Sequence, residues 1–479
     1  MLMIIQLIIV LLALYVGSRY GSLALGAISG IGLAILVFGF GLTPGTPPTD
    51  VIYIIIAAVT CAGVMQASGG MDWLIQLAEK MLRKHPERIT FYAPFFTFFL
   101  TVLVGTGHVV YTLMPIICDI ALKKGIRPER PCAVASIASQ VGITCSPIAA
   151  AVVAFVTISQ ANGFDISIPQ VLMVTIPSCL CGLSMAALFS LKRGKDLDKD
   201  PHFQARLANP DTYKYMYGET STTLDKKIPA SAKRSVYIFL TALVVIVLFA
   251  SFPELLPTTD VVKSIKDAHD MTLSDGTVIT SAQLVKAEVV KSGMTQMKST
   301  PIGMNLVIQI IMITAAALMI IFCKTNIKKA VQGPVWQSGM VAVIAIYGIA
   351  WLADTYFGNY MGQIEIALRG IVQQYKWSIA LVFFVVSVLI NSQGGVVVAM
   401  LPLAYSLNIP GPVLLGVLPS VYGYFFIPNY PSDIATVNFD RSGTTVIGKY
   451  LLNHSFMLPG MISVITSTIV GYIITSIFY

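Results

Sequence analysis

Long apolar runs divide this chain from end to end, and they constrain its fold more than any motif does. A helix needs about 20 mostly apolar residues to cross the hydrocarbon core of a bilayer. Runs of that kind fall at 1–16, 22–41, 51–67, 89–122, 131–159 and 168–191, and again at 235–251, 302–323, 334–353, 377–407, 411–439 and 450–479. Of the 479 residues, 56% are hydrophobic and 11% charged. An ordinary soluble domain carries about 25% charged residues, so this chain has too little polar surface to cover a globule. The net charge of +8 resides in the gaps between apolar runs and does not point to nucleic acid. The seven cysteines are scattered through apolar segments without a CxxC pair, which argues against a disulfide framework or a zinc site. No basic residue precedes the first run and Arg19 follows it, so it reads as a retained span whose N-terminus lies outside.

Lys and Arg in the gaps set the expected sidedness. The gap 192–234 holds ten of them and is expected to be a cytoplasmic loop. Gaps 17–21, 68–88 and 123–130 are basic, whereas 42–50 and 160–167 have no basic residue. With 68–88 and 123–130 on one side, 89–122 must enter and leave from the cytoplasm as a re-entrant hairpin, its tip at Gly105-Thr106-Gly107. By the same count 377–407 dips in from outside, its tip at Asn391-Ser392-Gln393-Gly394-Gly395. The expected fold is an all-α polytopic membrane protein with an inverted-topology repeat, each half five transmembrane helices plus one re-entrant hairpin. The first repeat is 1–191, with hairpin 89–122 and broken helix 131–159. The second is 235–479, with hairpin 377–407 and broken helix 411–439. Both termini fall outside. An offset of 287 superimposes Gly107 on Gly394 and Pro115 on Pro402, and an offset of 281 superimposes Ser139 on Ser420, Gly142 on Gly423 and Pro147 on Pro428. Such repeats mark secondary transporters. The polar segment 252–301 breaks the symmetry as an extracytoplasmic insert, and Thr272–Ile279 reads as a hairpin around Asp275-Gly276 or as a disordered loop.

Irregular backbone at membrane depth is tolerated only where protein or a water-filled cavity surrounds it. Two hairpin tips and two broken helices therefore point at one central site. Helix N-termini at such breaks offer free N–H groups and partial positive charge to an anion. Thr106, Gly107, His108, Ser139, Gln140, Asn391, Ser392, Gln393 and Ser432 are the candidate substrate-binding residues. The competing reading is that Gly and small polar residues merely allow helices to pack closely. Asp433 is an intramembrane carboxylate, and hence a candidate coupling residue or the partner of a base such as Arg441. Asp119 reads as a helix-end charge. Arg127 and Arg130 are placed at the cytoplasmic mouth, as a topology anchor or as an entry funnel for dianions. The run Lys195-Asp196-Leu197-Asp198-Lys199-Asp200 reads as a solvated charge run. Neither a metal nor a cofactor is expected.

The run Gly105-Thr106-Gly107-His108-Val109-Val110-Tyr111-Thr112, followed by Ile126-Arg127-Pro128-Glu129-Arg130-Pro131, resembles the anaerobic four-carbon (C4) dicarboxylate transporter family of bacteria. So do Gly194-Lys195-Asp196-Leu197-Asp198-Lys199-Asp200, Asn391-Ser392-Gln393, and Tyr430-Pro431-Ser432-Asp433 with Phe439-Asp440-Arg441-Ser442-Gly443-Thr444-Thr445. The resemblance spans nearly the whole chain and stops at 252–301. It implies an inner-membrane exchanger that takes in fumarate, malate or aspartate and releases succinate in anaerobic respiration. The wider superfamily is similar to elevator transporters with two hairpins per protomer, often homodimers, and family members can influence sensor kinases. The residues themselves reach only an inverted-repeat secondary transporter for an anion. A cation/proton antiporter carrying its ion on Asp433 is the alternative within transport. A membrane sensor or scaffold acting through 192–234 is the alternative outside it. No motif pairs a nucleophile with a base, so an enzyme is not expected.

Overall fold

The computed structural model describes residues 2–20, 22–47, 49–218, 221–264, 271–272, 278–279, 295–389, 392–428, 430–448 and 452–479. The chain is mostly helical. Helix α1 (Leu2–Tyr20) is followed by α2 (Ser22–Ala34), which runs into a π turn at Ile35–Gly39, and then by α3 (Thr49–Ala67). Outward-facing Leu2, Ile4, Ile5, Ile8, Leu11 and Leu12 are exposed, as befits a helix whose solvent is lipid.

The gap 68–88 holds a helix that hydropathy does not reveal. Helix α4 (Gly70–Lys84) is amphipathic and bends by 70° from α3. Its buried face includes Met71, Leu74, Ile75, Ala78 and Leu82, while its other positions include Asp72, Lys80 and Arg83. A helix with this alternation escapes a search for uniform apolar runs.

The expected hairpin segment 89–122 consists of α5 (Ile89–Val104), a tight turn at Gly107–Val109 and α6 (Val110–Lys123). Gly105 ends α5 at φ +77°, a left-handed conformation that favours glycine. The segment 131–159 is likewise interrupted. Helix α7 (Glu129–Val141) passes through a 3₁₀ turn at Gly142–Cys145 and restarts as α8 (Ala150–Ala161). Every residue of α7 except Arg130 is buried, which places this helix at the centre of the molecule. Helix α9 (Ile168–Ser190) opens on a Ser167/Gln170 capping box.

In the expected cytoplasmic loop, α10 (Pro201–Leu207) and α11 (Pro210–Tyr217) are capped by Asp200 and Asn209. Helix α12 (Ala230–Ser251) leads to the insert, where β1 (Thr258–Ser264) pairs antiparallel with β4 (Thr295–Pro301). Strands β2 (Met271–Thr272) and β3 (Val278–Ile279) also pair antiparallel. Their register, Thr272 opposite Val278, is that of the expected hairpin, whose Asp275-Gly276 turn lies outside the described residues.

Helix α13 (Met304–Cys323) and the short α14 (Ile327–Gln332) precede α15 (Pro334–Gln374), which is 41 residues long. The apolar run of 334–353 is therefore only half of this helix, since no proline interrupts the more polar continuation. Next come α16 (Ile379–Leu389) and α17 (Gln393–Ser406), either side of the second expected tip, and then α18 (Gly411–Gly416). Irregular backbone at 422–428 and 430 precedes α19 (Pro431–Phe439). Helix α8 begins at Ala150 and α19 at Pro431, positions that the 281-residue offset superimposes.

The last helix, α20, spans Met457–Phe478. It starts later than the expected 450, and the described residues at 440–448 and 452–456 form a polar loop before it. Asp440 there accepts hydrogen bonds from Thr444 Oγ1 (2.9 Å) and the Thr445 N–H (2.7 Å).

The helices pack in two groups. One contains α1, α2, α3, α12, α13 and α15; the other is built around α5–α9 and α17–α20. The crossing of α2 with α15 is glycine against backbone: a Cβ on Gly26 would meet the Ile344 carbonyl, and one on Gly348 would meet the Gly26 carbonyl. Small residues are what bring helix backbones this close in a bilayer. The groups meet chiefly where α15 touches α17 and α3 touches α8.

Candidate functional site at the helix breaks

A cavity of about 320 Å³ lies where the two groups meet. Ligand sites of about 300–1,000 Å³ are typical for small molecules. Its polar side is made by Thr106, Gly107, Tyr111, Ser392, Gln393, Tyr424 and Tyr430, with Ala150 and Ala151 between them. Its apolar side is made by α3 and α15, through residues such as Val59, Ala62, Ala345 and Ile346.

The breaks explain why these residues converge. Thr106 and Gly107 precede α6, Ala150 and Ala151 begin α8, Ser392 caps α17, and Tyr430 and Pro431 begin α19. Four helix N-termini thus face one space. The contacts are close. A Cβ on Gly107 would collide with the Gln140 side-chain amide, and one on Gly394 would sit 3.1 Å from Ala150 Cβ and 3.5 Å from the Ala151 nitrogen. Each terminus carries about half a positive charge. None of the described residues that line the cavity is charged.

Behind this wall lies a layer of buried amides and hydroxyls. The Tyr424 hydroxyl donates to Gln140 Oε1 at 2.8 Å, and Gln393 Nε2 donates to the Gln140 carbonyl at 2.8 Å. Gln140 Nε2 donates to Ser139 Oγ at 3.1 Å and reaches Ser432 Oγ at 3.5 Å. Gln140 therefore links both broken helices and the second tip. Ser392 Oγ accepts from the Gly395 N–H at 3.2 Å, as an N-cap does.

The structure thus brings Thr106, Gly107, Ser392 and Gln393 to the cavity wall and puts Ser139, Gln140 and Ser432 one layer behind it. His108 lies in the turn Gly107–Val109, but its side chain falls outside the described residues, as does Asn391. Sequence reading missed the tyrosines. Tyr424 and Tyr430 flank the second break, with rings 4.5 Å apart, and Gly423 beside them carried the repeat match that pointed there. The apolar wall from α3 and α15 left no signal, since its residues match those of any span.

Asp433 is buried in the first turn of α19, where a carboxylate meets the positive end of the helix. It accepts a hydrogen bond from Ser136 Oγ of α7 at 2.7 Å. The expected partner Arg441 instead bonds Asp119 at 3.0 Å. Asp119 is no mere helix-end charge: it is buried and also lies 3.1 Å from Lys123 and 3.7 Å from Arg83.

Arg127 and Arg130 are both engaged by the loop that follows α9. Arg127 bonds Glu129 at 2.7 Å and Asp200 at 2.6 Å. Arg130 donates to the Arg193 and Gly194 carbonyls and to Asp196 at 2.8 Å. The charge run 195–200 is accordingly a docked segment, with a 3₁₀ turn at Leu197–Lys199, rather than a purely solvated one. Burial opposes the Asp200 charge, but hydrogen bonds from Arg127 and from the Phe203 and His202 N–H groups hold its carboxyl below the usual range.

Comparison with known proteins agrees across the full length. Residues 2–479 match the family described as "Anaerobic c4-dicarboxylate membrane transporter", and the match continues through 252–301, where the motif resemblance stops. The chain is 42% identical over 481 residues to the anaerobic C4-dicarboxylate transporter DcuB of Escherichia coli O6:H1, covering 100% of this chain and 99% of that one. It is 32% identical over 476 residues to the C4-dicarboxylate transporter DcuA of Wolinella succinogenes, covering 99% and 100%. Among solved structures it is similar in fold to MtrF of Neisseria gonorrhoeae, described within a class of antimetabolite efflux pumps. The TM-score is 0.51 at 11% identity, over 98% of this chain and 94% of that one. These named relatives are transporters, not enzymes, and the apolar helices make this a multi-pass membrane protein. The chain belongs to the anaerobic C4-dicarboxylate membrane transporter family.

Proposed function

We propose that this chain exchanges C4-dicarboxylates across the bacterial inner membrane by alternating access, taking in fumarate, malate or aspartate and releasing succinate. One observation carries the proposal: four helix N-termini and the hydroxyls of Thr106 and Ser392 surround a single cavity whose described lining holds no charged side chain. Four half-charges roughly balance a dianion. The charge is diffuse and needs no buried Arg or Lys, so substrate can leave as readily as it enters. A cation carrier would want a carboxylate in the wall, and Asp433 is not among the described lining residues but bonds Ser136 behind it.

In this reading the two halves are inverted repeats, 89–122 and 377–407 are re-entrant hairpins, and both termini lie outside with 192–234 in the cytoplasm. The group holding the breaks moves against the α3–α15 wall, in a protomer that pairs as a homodimer. The named relatives DcuB and DcuA support the substrate class. Loading proteoliposomes with succinate should accelerate entry of labelled fumarate. Entry indifferent to every internal dicarboxylate would reject exchange. Cysteine at position 214 should react only with reagents that reach the cytoplasm; labelling from outside would reject the inverted topology.

A further inference from the structure

At the end of α9 an open cavity of about 460 Å³ is lined by Arg130, Lys192, Lys195 and Lys199, with Asp196 as its carboxylate and Leu191 at its edge. Its charges are not balanced internally. Asp196 is already held by Arg130 at 2.8 Å and by Lys199 at 3.6 Å. Among the described residues, Lys192 and Lys195 have no ion-pair partner. The carbonyls of Arg193 and Gly194, which would repel an anion, accept from the Arg130 guanidinium instead. The cavity therefore presents two ammonium groups without an ion-pair partner, beside carbonyls that already accept from Arg130.

What lies next to it identifies the ligand. On α9, Met185, Leu188 and Phe189 are exposed. Their spacing of three and four residues puts them on one helical face, and Lys192 follows within the next turn. The other faces of α9 pack on α7 and α20. An apolar stripe on a spanning helix thus runs directly into a basic cavity. A free phosphate would use only the second of these features, and a neutral lipid only the first.

We propose that this cavity binds the phosphate-bearing headgroup of an anionic phospholipid whose acyl chains lie along Met185, Leu188 and Phe189. Basic pockets at the membrane surface bind such headgroups. Because Arg130 sits on α7 and ties it to the cavity wall, the bound lipid braces the helix whose break lines the central site.

The test compares full-length protein with its Lys192→Gln/Lys195→Gln variant in nanodiscs or by native mass spectrometry. The probes are phosphatidylglycerol and cardiolipin, with phosphatidylcholine and inorganic phosphate as the other arms. Wild type should retain the anionic lipids over phosphatidylcholine, and the variant should bind them about tenfold or more weakly. A control variant, Lys214→Gln/Lys227→Gln, changes exposed loop lysines outside the cavity and should bind as wild type. Equal retention by wild type and the cavity variant, or no preference for anionic lipid, would overturn the proposal. Displacement of the lipid by millimolar inorganic phosphate would also overturn it, in favour of a soluble-anion site.

Discussion

Asp119 and Arg441 lie 322 positions apart in sequence and meet at 3.0 Å. The pair ties the end of α6 to the loop after α19. Arg83 of α4 approaches the same carboxylate and also bonds Glu79 at 2.7 Å. One buried carboxylate therefore holds three cations from three elements.

Replacing Asp119 with Asn should leave those cations facing one another. Fully buried pairs cost about 3–5 kcal/mol to break and exposed ones under about 1. With Asp119 buried and its partners half-open, about 2–3 kcal/mol is expected, read as a lower melting temperature in detergent. Asp119→Asn combined with Arg441→Gln should cost less than the sum of the two. Strict additivity would mean the contact carries no coupling.

Ser392→Ala and Thr106→Ala should each raise the apparent transport constant. A lost donor to a charged acceptor costs about 1.5–3 kcal/mol, or roughly 10- to 150-fold in affinity. Ser432→Ala should do less, because Ser432 lies behind the wall. Concentration series in proteoliposomes measure all three, and unchanged constants for Ser392 and Thr106 would move the site elsewhere.

Asp433→Asn separates charge from shape. An ionised carboxylate in the first turn of α19 would use part of the positive field offered to a dianion. If Asp433 carries a coupling ion, the Asn variant should keep dicarboxylate counterflow and lose any response to a pH or sodium gradient. A full response in the variant would leave Asp433 as the partner of Ser136 alone.

Docking of the 192–200 segment should depend on pH through Asp200. Its carboxyl is held below the usual value of about 3.9, so it favours the docked state above that value. The benefit is lost as pH falls through the lower, folded value. Protection of the 192–234 loop from an acid-tolerant protease should therefore be level from pH 7 to about 4 and decline below. Asp200→Asn should cost about 1 kcal/mol at neutral pH and nothing further in acid.

Gly26→Leu should disrupt the crossing of α2 with α15, where backbone already occupies the space a side chain needs. Overpacking costs about 1–3 kcal/mol and more where the obstacle is main chain. Thermal stability should drop in Gly26→Leu, while Gly30→Leu, with nothing within 4 Å of its added Cβ, should not change it.

What could be read from the chain and what could not follow one division. Gly105, Gly107, Gly142 and Gly423 announced the breaks because they cluster with small polar residues at matching places in the two halves, unlike the packing glycines Gly26 and Gly348, and the breaks located Thr106, Ser392 and Gln393. Partner choice was illegible. Asp433 lies eight residues before Arg441, yet its hydrogen-bond donor is Ser136, because α19 presents its first turn to α7 while Arg441 turns away to Asp119. Helix α4 was invisible for a different reason: Asp72, Glu79, Lys80, Arg83 and Lys84 lower its hydropathy, although one face is buried. Tyr424 looked like any aromatic residue in an apolar run until its hydroxyl was seen to meet Gln140.

The length of α15 has a mechanical meaning. At about 1.5 Å per residue, its 41 residues reach roughly 60 Å, about twice the hydrocarbon thickness of a bilayer. Its apolar portion, Pro334–Tyr360, is enough to cross with tilt, so the more polar remainder exceeds what a single crossing needs. That overhang shares one continuous helix with Ala345 and Ile346 in the cavity wall. Cavity wall and overhang are therefore parts of one element, with no break in the helix between them.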